Sequence, residues 1–140
     1  MLSHGQSDVH SDKTALNLES DTINNFFNSD SLDIFIQQRG CWTAELNTVI
    51  NLRRFPTFFL MTYQGGKPHR TMKKKIDTIQ YDRIRKLLLK LPSQITPLGE
   101  SPYLEVYLQT RDTNSKFAHK ILVDYTLTLD KDIRKIIGLK

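Results

Sequence analysis

Leu32, Ile34 and Ile36 alternate with Asp33, Phe35 and Gln37, a period of two that predicts a β-strand. Arg39-Gly40 closes it as a turn. Trp42, Ala44 and Leu46, continuing to Thr48 and Ile50, predict an antiparallel return strand. Residues 55–63, Phe-Pro-Thr-Phe-Phe-Leu-Met-Thr-Tyr, are apolar on both alternations. That pattern predicts a strand buried on both faces, with Pro56 at its first positions. Gln64-Gly65-Gly66-Lys67-Pro68 is a turn signal, and residues 70–76 return as the second arm of a hairpin. The lysines of that arm suit an edge strand, where charge blocks pairing with other chains.

The period then changes. Tyr81, Ile84, Leu87, Leu88 and Leu91 form one apolar stripe at helical spacing, while Arg83, Arg85, Lys86 and Lys90 take the wet face. Asp77 or Thr78 can cap this helix and Pro92 stops it. After a loop with Pro97, Gly99 and Pro102, Leu104, Val106 and Leu108 read as a strand. Residues 111–115 form a polar hairpin loop, and Phe117, His119, Ile121, Val123, Tyr125 and Leu127 share one face of a long return strand. A short helix follows from an Asp130 cap through Ile133, Ile136 and Ile137, with Gly138 as its stop.

The order β-β-β-β-α-β-β-α predicts an α+β fold: a mainly antiparallel sheet, one amphipathic helix packed on it and a short C-terminal helix. Whether the strands form one sheet or two is open at this level. Residues 1–30 read as a flexible acidic arm, with a short helix expected near 22–28 behind an Asp21-Thr22 cap. Residues 31–140 are expected to form a single α+β domain.

A length of 140 residues suits one domain. No apolar run approaches the ~20 residues of a membrane helix. The N-terminus lacks the basic start and apolar core of a secretory signal, so a cytoplasmic location is expected. The net charge of +5 is unevenly placed, because residues 1–30 hold one base against five acids. The remainder is therefore more basic than the average, and an acidic tail on a basic body could act as an electrostatic shield.

Reactive constellations are scarce. Cys41 is the only cysteine and has no histidine near it in sequence, so it reads as a small buried hydrophobe. The histidines His4, His10, His69 and His119 show no metal-ligand spacing, and His119 reads as a residue at a core margin. Glu45 and Glu105 read as water-facing strand positions. Gly65-Gly66 lacks the downstream pattern of a phosphate loop. These readings lead to an expectation of no catalysis, no cofactor and no metal.

The basic region between Arg53 and Lys75 is the strongest feature. Arg53, Arg54, Lys67, Arg70, Lys73 and Lys75 are the candidate steering charges for an acidic protein partner. Tyr63, with Phe58 beside it, is the candidate anchor, since binding energy concentrates in aromatics and arginines. Period two puts Lys73 and Lys75 on one face and Lys74 on the other. Nucleic acid is the alternative partner for the same hairpin, and charge placed only to protect an edge strand is a third reading. In loose organisation, residues 30–140 resemble small bacterial antagonists, the immunity proteins and proteinaceous enzyme inhibitors. The resemblance rests on antiparallel strands, the helix in DTIQYDRIRKLLLKL and a final strand pair. It implies a non-catalytic module that blocks a partner protein by occlusion.

Overall fold

The computed structural model describes residues 21–39, 47–65, 69–92, 102–111 and 117–139. Helix α1 covers 21–27. Strands β1 (Ser31–Arg39), β2 (Asn47–Arg54), β3 (Phe59–Gly65) and β4 (Arg70–Ile76) follow, then helix α2 (Thr78–Leu89), strands β5 (Tyr103–Arg111) and β6 (Phe117–Asp124), and helix α3 (Leu129–Ile136). The fold is α+β, and its strands form one antiparallel six-stranded sheet in the order β4-β3-β2-β1-β5-β6. The chain thus meanders outward from β1 to β4, and α2 carries it back to the far side of β1.

Alternation decides what each face holds. Leu32, Ile34 and Ile36 of β1 face the core, with Ile50 and Leu52, Met61 and Tyr63, and Val106 and Leu108 from the neighbouring strands. Buried residues of all three helices join them in one cluster: Ile23, Phe26 and Phe27 from α1, Tyr81, Ile84 and Leu88 from α2, and Leu129 and Ile133 from α3. The packed core therefore reaches back to α1, ahead of the boundary expected at residue 31. Among the described residues, no helix is long and apolar enough to cross a membrane.

The helices carry local signals that explain their limits. Asp77 accepts from the Gln80 backbone N–H at 2.7 Å, and the Gln80 side chain accepts from the Asp77 N–H at 3.0 Å. This reciprocal capping box starts α2. At the end of α3, Gly138 has φ +76, the Gly138 N–H reaches the Lys135 carbonyl, and the Leu139 N–H reaches that of Arg134. These two bonds close a Schellman motif that a β-carbon would disfavour.

Five expectations are corrected. β3 is not buried on both faces: Phe59, Met61 and Tyr63 are buried while Leu60 and Thr62 are half-buried. It begins at Phe59, because Phe55 to Phe58 form the preceding turn, closed by the Phe55 N–H donating to the Phe58 carbonyl at 2.9 Å. β6 ends at Asp124, well short of Leu127, and its Leu122 rather than Ile121 packs in the core. Asp130 lies inside α3 and is not its cap. The residues 40–46 that were to begin the second strand, with Cys41 and Glu45, lie outside the described residues.

Two tyrosine hydroxyls tie the helical layer together. The Tyr63 hydroxyl donates to Asp130 Oδ1 at 2.8 Å, and the Tyr81 hydroxyl donates to the Phe27 carbonyl at 2.6 Å. Burial first, then the hydrogen bond to Asp130, pushes Tyr63 up to about 12. Burial also pushes Tyr81 up to about 12, against an opposing pull from the Arg54 charge. A folded-state pKa above the unfolded value of about 10 means that the native chain holds these protons more tightly. Their contribution is complete below about pH 10 and is lost as pH rises towards about 12. Urea midpoints measured across that window are expected to fall steadily, and less steeply in Tyr63→Phe than in the wild type.

Candidate functional site

One face of the sheet carries no helix among the described residues, and the outward-alternating side chains form its surface. Register places Arg53 of β2, Leu60 of β3 and Lys75 of β4 in one row. The adjacent row holds Asn51, Thr62 and Lys73. Arg53, Lys73 and Lys75 are exposed. None of the three pairs with a carboxylate among the described residues, unlike Arg85 and Lys86, which both engage Asp82.

Two aromatic rings complete this corner. Phe55 and Phe58 flank the Pro56-Thr57 tip of the β2–β3 turn, and their rings stack with centroids 4.9 Å apart and planes 8° from parallel. The Arg53 guanidinium lies 5.7 Å from the Phe55 centroid, and the Lys75 ammonium lies 4.7 Å from that of Phe58. The arrangement is a column of cation, ring, ring and cation. Each cation–π contact contributes roughly 0.5–1 kcal/mol at an exposed site, and the stacked pair roughly 0.5–1.5 kcal/mol. The column therefore restricts the rotamers of two long cationic side chains.

The other expected site residues have different fates. Tyr63 is fully buried and bonded to Asp130, so it serves the core and cannot anchor a partner. Arg54 lies on the opposite face: its guanidinium donates to the Phe27 carbonyl at 2.7 Å and stacks 4.9 Å over Phe59. Its role is to fasten α1 to the sheet. Lys74 likewise reaches across the core side to the Ile137 carbonyl at 2.7 Å. Arg70 is exposed at the start of β4, on the Lys74 side by alternation. Lys67 lies outside the described residues. The structure thus brings together Arg53, Lys73 and Lys75 of the seven, and adds Phe55 to Phe58 as the aromatic partner. A sequence signal for that pair existed: two phenylalanines three apart around Pro-Thr, where a tight turn returns both rings to one side.

Further along the same face, β1 and β5 place Phe35 opposite Tyr107 and Gln37 opposite Glu105. The Phe35 and Tyr107 rings meet edge to face at 5.9 Å, and His119 stacks on Tyr107 at 5.7 Å. Phe35, Gln37, Glu105, Tyr107 and Gln109 line an open hollow of 330 Å³, and His119 is not part of that lining. His119 is thus exposed on the open face and not at a core margin. Among the described residues, no group of three or more His, Cys, Asp or Glu could hold a metal ion. The chain matches no family model, no curated protein and no solved structure.

Proposed function

We propose that this chain is a non-catalytic protein-binding module, a small antagonist of the immunity or inhibitor type, acting in the cytoplasm. It docks the open face at the β2–β4 corner onto an acidic surface of its partner and blocks that surface by occlusion. The observation that carries the reading is the Arg53–Phe55–Phe58–Lys75 column, because its two cations are held by aromatic rings and left without carboxylates among the described residues. A preformed cluster of cations beside aromatic area combines electrostatic steering with an anchor. Asp33 and Glu105 lie on the same face and interrupt its positive character towards β1 and β5. Discrete acidic groups on a folded partner suit that pattern better than a continuous polyphosphate.

The test is capture of partners from the source organism by immobilised wild type and by Phe58→Ala, followed by affinity measurement on any acidic protein retained. Truncating the ring removes both the stack and the Lys75 contact, and an affinity loss of about tenfold or more is expected. Equal affinity for the two proteins would overturn the reading. So would retention of DNA or RNA in place of protein, with affinity falling steeply in salt.

A further inference from the structure

We propose that the hollow between β1 and β5 receives an arginine side chain of the partner, stacked on Tyr107 and Phe35 and held by Glu105 and Gln37. This deepens the protein-binding reading by naming a second contact, and it rests on that reading only for the source of the arginine.

The chemistry is written in the lining. Glu105 is the carboxylate of the hollow, and its side chain is 22% exposed. Such a half-shielded anion attracts a cation more strongly than one in open water. Tyr107 and Phe35 supply aromatic faces, which favour a flat, weakly hydrated cation. Gln37 and Gln109 add amide oxygens at the rim. A guanidinium uses all three features together, its edge donating to the carboxylate and amide oxygens while its plane lies on a ring. An ammonium ion has the charge but not the plane.

An independent observation comes from the chain itself. Arg39, at the end of β1, donates from Nη2 to Gln37 Oε1 at 2.6 Å, and the same nitrogen lies 3.6 Å from Glu105 Oε1. A guanidinium is therefore already drawn to this rim. Its hold on Glu105 is loose, since that ion pair is long and the Arg39 side chain is 50% exposed, and the Gln37 hydrogen bond is its closer tie. Arg39 stands at the hollow as a displaceable occupant. The hollow lies three to four strand spacings across the sheet from Lys75 and four to six residues along β1 from the Lys75–Leu60–Arg53–Ser31 row, roughly 20–25 Å in all. A partner that fits both contacts presents an arginine at about that distance from its acidic patch.

The experiment is a ¹H–¹⁵N NMR titration of the whole chain with Nα-acetyl-arginine amide, run beside Nα-acetyl-lysine amide and guanosine monophosphate. Saturable shifts are expected at Phe35, Gln37, Glu105, Tyr107 and Gln109 and at the adjoining Arg39 and His119, with a dissociation constant near 1 mM, a weak value suited to a single side chain. Glu105→Gln keeps the shape and removes the charge, so it is expected to weaken binding about tenfold. Arg39→Ala removes the internal competitor and is expected to tighten it several-fold. A lysine amide that binds as well, an unchanged constant in Glu105→Gln, or binding of the nucleotide instead would each overturn the proposal. None of these outcomes touches the Phe58→Ala test, so the failure of one reading is distinguishable from failure of the other.

Discussion

Asp124→Ala is expected to lower the unfolding free energy by about 2–4 kcal/mol, the largest stability effect expected of a single polar side chain among the described residues. Asp124 is 2% exposed at the end of β6. Its Oδ1 accepts from the Thr126 backbone N–H at 2.9 Å and from the Thr126 hydroxyl at 2.6 Å. Its Oδ2 accepts from the backbone N–H groups of Thr128 and Leu129, both at 2.9 Å. Thr128, the residue in the N-cap position of α3, makes no side-chain cap bond of its own. The carboxylate therefore satisfies the first donors of α3 from four and five residues upstream. Without it those N–H groups are left unpaired beside the core, and the helix that supplies Ile133 and the Tyr63 partner Asp130 loosens. Asp124→Asn retains one acceptor oxygen but turns an NH₂ towards two donors, so an intermediate loss is expected. Guanidinium unfolding followed by circular dichroism checks both, and an unchanged midpoint in Asp124→Ala would show that the loop holds α3 without the carboxylate.

The second large effect concerns binding. The double variant Arg53→Glu/Lys75→Glu is expected to weaken partner association by about 100-fold or more at low salt, mostly through a slower on-rate. Both residues are exposed, and each loses only a cation–π contact, so the fold is expected to change by less than about 1 kcal/mol for each. The reversed charges would repel the acidic surface proposed for the partner. Screening shortens this reach to about 8 Å at physiological ionic strength. The difference between variant and wild type is therefore expected to shrink as salt is raised, and stopped-flow association rates at several ionic strengths read it directly. A constant ratio across salt would mean that the two residues do not steer.

What the sequence made legible follows from how local each signal is. The Asp77-x-x-Gln80 box and the Tyr81, Ile84 and Leu88 stripe lie within one helix, so α2 was readable. The strict alternation of Leu32, Ile34 and Ile36 fixed the buried face of β1 in the same way. The segment 55–63 was not readable, because every position that matters is apolar. Phe55 and Phe58 of the turn carry the same chemical signature as Phe59 and Met61 of the core. Asp124 carries no local sequence signal of its role, because only the turn through Leu127, at φ +62, brings the start of α3 back to it. The fate of Tyr63 depended on Asp130, 67 positions away. Of the proposed binding surface, alternation separated Lys73 and Lys75 from Lys74, as the β3–β4 register places them. It could not reveal that the same rule sends Arg54 to the helix-bearing side and the Phe27 carbonyl while Arg53 remains on the open face.

The most direct measurement is hydrogen–deuterium exchange on the chain with and without its captured partner. Protection on binding is expected at residues 53–60 and 71–75, with the exposed faces of α2 and α3 unchanged. Protection confined to the helices, with the β2–β4 corner exchanging as in the free chain, would contradict the assignment of that corner as the binding surface.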